Sequence, residues 1–275
     1  MNKFKKFDDH LLQIAMKPPL ILRIAEIIST NYRVTIRTQA KKKMQKKLSL
    51  NGDLKVLYGP FKGLIYPKID SVGSVFLPKI LGTYESELHH TLEKICETGY
   101  KTIIDIGAGE GYYAIGLLTR IPESVVFAFE SNQQGQDLCK EMAKANHIED
   151  RLTIYGECDV SRLKQLANEK KKGLILCDCE GCELDLLLPE KIPQLKYFDI
   201  LAELHDHSCV GPTVTQIFHS RFCSTHTVEG INLRHRKPTQ HIDFKGISPI
   251  EQSQILSERR KYSVGWVFLK AKVIS

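Results

Sequence analysis

The chain has 275 residues, 39 Lys/Arg against 32 Asp/Glu, a formal net charge of +7 and 42% hydrophobic residues. That length holds one large α/β domain with an appendage, and the composition is that of an ordinary soluble globule. There is no internal repeat and no secretory signal, and the apolar stretch 11–28 is broken by Lys17, Pro18, Pro19, Arg23 and Glu26, which excludes a membrane span.

The charge is uneven. Residues 1–47 hold 12 Lys/Arg and 3 Asp/Glu, a net of +9, and the remaining 27 basic and 29 acidic residues leave −2. The division expected is a basic helical extension, 1–50, ahead of a main domain, 51–275. Within the extension the pattern predicts two or three short helices over residues 8–47, separated by Pro18-Pro19. The run Lys41 to Lys47 can touch phosphates or an anionic membrane, but a solvated helix or linker is the simpler account.

Asn51-Gly52 and Gly59-Pro60 mark turns, and Val56 to Pro67 reads as a short hairpin around Gly63. Gly82-Thr83-Tyr84-Glu85 leads into a helix over Ser86 to Glu97. Strands are then predicted near 102–106, 125–130, 152–155, 173–178 and 198–204, with helices near 111–121, 132–147, 160–171 and 183–189 between them. A further helix falls near 212–222. This alternation predicts a doubly wound parallel sheet. Two last strands, near 226–233 and 263–272, lack a clean amphipathic crossover and are expected to form an antiparallel hairpin at one edge. The long stretch 234–260 should start over the ligand edge of the sheet. It carries Arg234, His235, Arg236, His241 and Arg259, and is a candidate lid.

The first strand ends in Asp105 and runs into Gly107-Ala108-Gly109-Glu110-Gly111-Tyr112. Glycines at alternate positions allow a sharp turn and close approach of a ligand to backbone and to the helix N-terminus beyond. A dinucleotide fingerprint needs G-x-G-x-x-G; this chain has G-x-G-x-G behind an acid, which suits a ligand with a cationic head. S-adenosylmethionine (SAM) has an ammonium and a sulfonium. Glu130 and Ser131 end the second strand, where a carboxylate can accept both ribose hydroxyls. Asp159, after the third strand, can meet the adenine amino group or cap the next helix. Glu85 can approach the methionine end of SAM or serve as a helix-start acid. The pattern resembles class I SAM-dependent methyltransferases, which implies a Rossmann-like sheet of seven strands in the order 3-2-1-4-5-7-6 with the last strand antiparallel.

The fourth strand ends in Asp178-Cys179-Glu180-Gly181-Cys182-Glu183 and the fifth in Glu203-Leu204-His205-Asp206-His207. These match the D-x-E-G-x-E and E-x-H patterns of the FkbM-type methyltransferase family, which this chain resembles over roughly residues 58–272, with Gly82 to Glu85, Arg259 and Trp266 as further points of likeness. It departs from many relatives in the glycine turn, where Ala108 and Glu110 stand in place of an Asn-bearing sequence. The resemblance implies O-methylation of a small hydroxylated molecule such as a sugar or secondary metabolite. His205 is the first candidate base, because imidazole titrates near neutrality; a hydrogen bond to backbone is its simpler role. Asp178 is the second, or holds the SAM amino group, with Asp206 and His207 in reserve. No metal is assigned, although Asp178, Glu180, Glu203 and His205 offer hard ligands for a divalent ion; Glu180 and Glu183 can instead cap the next helix. Eight cysteines without a signal peptide suggest reduced thiols and a cytoplasmic location, with Cys177, Cys179 and Cys182 as small filler. Two other readings stand beside this one: methylation of RNA or another macromolecule through the basic arm, and a non-catalytic SAM-binding protein. The absence of an Asp/Asn-Pro-Pro-aromatic motif after the fourth strand weighs against the former.

Overall fold

The computed structural model describes residues 20–50, 54–72, 74–205, 213–232, 242–258, 260 and 265–272, with the side chains of 20–31, 33, 49 and 50 left aside. Asp206, His207, Arg234, His235, Arg236, His241 and Arg259 lie outside the described residues.

Short apolar runs become strands because both of their faces are covered. In β1 (Thr102–Ile106) and β4 (Gly173–Cys177) every residue after the first is buried. Alternate residues point to opposite faces. Ile103, Leu174 and Leu176 join one core, and Ile104, Ile175 and Cys177 the other. Beside them β2 (Val125–Phe129), β3 (Leu152–Tyr155) and β5 (Phe198–Leu204) pair in parallel. β7 (Gly265–Ala271) is inserted antiparallel between β5 and β6 (His226–Ile231). The order is β3-β2-β1-β4-β5-β7-β6, as the sequence implied. The carboxyl ends of β1 to β5, the end of β6 and the start of β7 therefore share one edge, since Ile231 and Glu203 both pair with Trp266.

The helices in chain order are α1 (Leu20–Leu50), α2 (Phe76–Leu81), α3 (His89–Thr98), α4 (Tyr112–Arg120), α5 (Gln133–Ala145), α6 (Val160–Lys170), α7 (Glu183–Leu186), α8 (Val214–Phe222) and α9 (Pro249–Leu256). Five of these differ from expectation. α2 has no counterpart among the helices expected from the sequence. Residues 20–50 form one long helix where short ones were expected, because no Gly or Pro interrupts the chain after Pro19, and the part of that expectation before residue 20 lies outside the described residues. Ala40, Met44 and Leu48, one turn apart, are buried and join the core. Its basic run is partly a docking face: Lys43 pairs with Glu251 of α9 at 2.6 Å and Lys47 with Asp243 at 2.7 Å. α3 starts at His89 instead of Ser86, since residues 84–88 are spent on turns. α7 stops at Leu186, close before Pro189. The stretch expected to be a loop between β6 and β7 contains α9, started by Pro249 and by a Ser248–Glu251 capping box.

The segment predicted as a hairpin closes through one antiparallel bridge, Lys55 to Ile65. It inserts Phe61 against Tyr112, edge to face at 5.2 Å. Among the described residues no helix is long and apolar enough to cross a membrane.

Candidate active site

A cavity of about 820 Å³ opens at the carboxyl edge of the sheet, within the ~300–1,000 Å³ usual for small-molecule sites. Its two ends are built differently. One end is backbone. Gly107 and Ala108 donate to Phe129 O at 2.9 and 3.0 Å, and Asp178 N donates to Ile106 O at 2.9 Å, so the turn is tied to both neighbouring strands. Gly107 has φ +87°, and a Cβ there would lie 1.7 Å from Asp178 O. Gly111, at φ +91°, precedes α4, whose first residues Tyr112 and Tyr113 line the cavity and whose N-terminus carries partial positive charge.

Glu130 secures the turn. Its carboxylate accepts from Gly109 N at 2.7 Å and from Asn132 N at 2.7 Å. Lone pairs remain on both oxygens, and Glu130 and Ser131 line the cavity. Beyond the turn, Glu110 is buried and paired with buried Lys79 at 2.6 Å, and it accepts from Val72 N at 3.2 Å. Lys79 also lies over the Tyr84 and Tyr112 rings at 4.9 and 5.2 Å. This pair fastens the 72–84 segment across the turn. Glu110, one of two turn residues that set this chain apart from the family it was found to resemble, is therefore the one that holds that segment.

The other end is side chain. Arg260 turns each of its guanidinium nitrogens to a different carboxylate: Glu85, Glu203, and Glu258 at 3.2 Å. Tyr113 donates to the second Glu85 oxygen, and the Glu85 backbone N–H donates to Glu258 at 2.8 Å. Burial, with Glu203 and Glu258 nearby, pushes Glu85 up to about 8 against the opposing pull of Arg260. Burial works against the charge on Arg260, but Glu85 and Glu203 outweigh it and hold the guanidinium protonated. His205 Nδ1 lies 3.0 Å from Glu183 Oε1, and Nε2 lies 3.3 Å from Glu203 and 3.5 Å from Glu180. Burial lowers the histidine pKa, and these carboxylates more than reverse that, so it is raised. Asp178 is driven well up by burial and by Glu203 beside it, and its Oδ1 is buried without a hydrogen-bond partner.

The cavity brings together Glu85, Gly107, Ala108, Gly109, Tyr112, Glu130, Ser131, Asp159, Asp178 and His205 of the residues the sequence singled out. Gly111 sits just behind the wall. Asp105 does not line it: the side chain is buried beneath the turn, and burial pushes its pKa up to about 7 with only partial relief from the Ala114 amide. Alternation along β1 explains this, since Ile106 takes the cavity-facing position and Asp105 the opposite one. Asp159 caps α6, accepting from Arg162 N at 2.7 Å, and still borders the cavity. The cysteine expectation is corrected. Cys177 is buried filler, but Cys179 and Cys182 form a disulfide on the cavity wall. Glu180 at φ +57° and Gly181 at φ +113° fold the loop so that the two Cα atoms stand 5.5 Å apart. The expectation of reduced thiols therefore fails here. Arg260, Glu258 and Lys79 do not stand out in the sequence: the first two belong to the charged run Glu258-Arg259-Arg260-Lys261 and Lys79 is a single lysine, and neither carries a spacing that marks a site.

No family model and no curated protein matches the sequence. Among solved structures the chain is similar to the O-methyltransferase TomG from Streptomyces achromogenes, involved in tomaymycin synthesis and crystallised with SAM. Identity there is 13%, the TM-score 0.46, and the match covers 70% of this chain and 82% of that one. It is similar also to an O-methyltransferase from Bacillus cereus in complex with SAH, at 16% identity and a TM-score of 0.45, over 86% of this chain and 91% of that one. Likeness at this level carries no argument, and the functional reading rests on the site itself.

Proposed function

We propose that this chain is a SAM-dependent methyltransferase of the FkbM type that methylates a hydroxyl of a small molecule, a sugar or secondary metabolite. The observation that carries the reading is one cavity with a glycine-turn cradle at one end and a carboxylate–imidazole cluster at the other. The backbone end fits a nucleoside: Gly107 to Gly111 admit close approach, Glu130 has lone pairs for ribose hydroxyls, and Ser131 and Asp159 border the adenine end. The orphaned oxygen of Asp178 fits the ligand's ammonium or the acceptor.

SAM supplies, when bound, an electrophilic methyl on a sulfonium. The protein's work is alignment and proton handling. Asp178 and His205 hold the acceptor hydroxyl. As its oxygen bonds the methyl carbon and the carbon–sulfur bond breaks, the hydroxyl proton passes to His205 or Asp178 and S-adenosylhomocysteine leaves as a neutral thioether. The raised pKa of each makes it a strong proton acceptor once ionised or neutral as required. Nucleic acid is the weaker acceptor reading, since Lys43 and Lys47 are already engaged by Glu251 and Asp243.

The test is incubation with methyl-labelled SAM and a panel of hydroxylated sugars, other metabolites and RNA. Label on an oxygen of a small molecule is expected. Label on RNA alone, or none with SAM bound, contradicts the reading.

A further inference from the structure

We propose that Asp178, Glu203 and His205 bind one divalent metal ion, of the Mn²⁺ or Mg²⁺ class, at the acceptor end of the cavity. One ligand atom from each residue lies within 4.8 Å of the others, and all three line the cavity. Two carboxylates and an imidazole form an O,O,N set whose charge offsets a dication.

Each donor is also held from behind, the arrangement that orients metal ligands. Glu183 takes Nδ1 of His205 at 3.0 Å, which turns Nε2 toward Glu203. Arg260 engages Oε1 of Glu203, leaving Oε2 on the His205 side. The Asp178 backbone is pinned to Ile106 O at 2.9 Å, while Oδ1 of Asp178 is buried with no hydrogen-bond partner. Glu203 is buried and Asp178 half-buried with its Oδ1 shielded from water, and two such carboxylates side by side need a proton or a cation between them. Glu180 stands outside the set: its side chain is 79% exposed, 3.5 Å from Nε2. Three protein ligands leave coordination positions for water or for an acceptor hydroxyl.

The metal site stands independently of the methyl-transfer reading; its role in the reaction rests on that reading. A dication there lowers the pKa of a hydroxyl that reaches it. The proton leaves through exposed Glu180 to water, and the oxygen takes the methyl as the carbon–sulfur bond breaks. With the cation bound, Asp178 and His205 hold it, and this route replaces the direct proton transfer to them in the metal-free site; the acceptors favoured are those with a second oxygen able to join the coordination.

The test is electron paramagnetic resonance of Mn²⁺ titrated into the full-length protein. One ion per chain is expected, with a ¹⁴N coupling from the His205 imidazole in the spin-echo spectrum. Glu203→Gln and His205→Ala should each weaken binding by about 10-fold or more, and Glu180→Gln by less than about twofold. Calorimetry with S-adenosylhomocysteine serves as the fold check. An undiminished free Mn²⁺ signal with wild type, bound Mn²⁺ without ¹⁴N coupling, or equal binding by variants that pass the fold check overturns the site. Mn²⁺ binding without S-adenosylhomocysteine binding leaves the metal site standing and sinks the methyltransferase reading. The reverse result sinks the metal alone.

Discussion

The two ends of the cavity hold their shape by different means. At the glycine turn, contacts are backbone to backbone or carboxylate to amide, and the adjacent strands of the sheet supply them: Phe129 and Glu130 at the end of β2, and Asp178 at the end of β4. At the other end, Glu85, Asp178, Glu203, His205, Glu258 and Arg260 come from four separate stretches of chain, and opposed charges balance one another. The first kind of site tolerates no added atom. The second tolerates no change in charge. Substitutions at the two ends should therefore fail in different ways.

The largest effect is expected at the turn. Gly107→Ala would drive a methyl into Asp178 O and hold a left-handed φ that alanine resists. Affinity for SAM should fall at least about 100-fold by calorimetry, roughly 2.8 kcal/mol; wild-type affinity would break the comparison. Next comes Arg260→Met, which leaves Glu85, Glu203 and Glu258 without their counter-charge. Removing one partner from such a buried set costs about 3–5 kcal/mol. With Arg260 gone the already raised pKa of Glu85 rises further, so the folded state binds more protons than the unfolded one and stability recovers as pH falls. Urea unfolding should show a larger loss at pH 8 than at pH 5; an equal loss would mean the role is packing.

Asp105→Asn should act in the opposite direction. The folded-state pKa of about 7 lies above the ordinary value of 3.8. Wild type therefore loses stability as pH rises from about 4 to 7, and the amide removes that slope. The variant should match wild type near pH 4 and exceed it at pH 8 by a few kcal/mol. A variant less stable at pH 8 would show that the ionised carboxylate is paired. The smallest effect is expected at Glu251→Gln, which removes the Lys43 pair, half exposed on the lysine side. Tm should move by less than about 2 °C; a larger fall would make that pair the main tie between α1 and the rest.

The same contrast explains what could be read in advance. The strands, their order and the glycine turn follow from periodicity and turn chemistry over a few residues, and Gly107, Glu130 and Asp178 stand in the cavity as their positions indicated. Asp105 was misplaced because the sequence marks a strand end without saying which face its last residues take. The start of α9 is legible in Ser248-Pro249-Ile250-Glu251, a capping box with Pro at the first helical position. Arg260 was not legible. Neighbouring Arg259 is the residue the family resemblance pointed to, and the Arg260–Glu203 pair joins residues far apart in sequence, which no local pattern reveals. The Cys179–Cys182 bond likewise depends on the left-handed pair Glu180-Gly181, which composition does not reveal.

The central claim is that the glycine-turn end holds SAM. Isothermal titration of the full-length chain with SAM, S-adenosylhomocysteine and NAD⁺ tests it most directly. Saturable binding of one SAM or S-adenosylhomocysteine per chain, with no heat from NAD⁺, is the result expected. No heat from either sulfur nucleoside, or saturation by NAD⁺ instead, would contradict it.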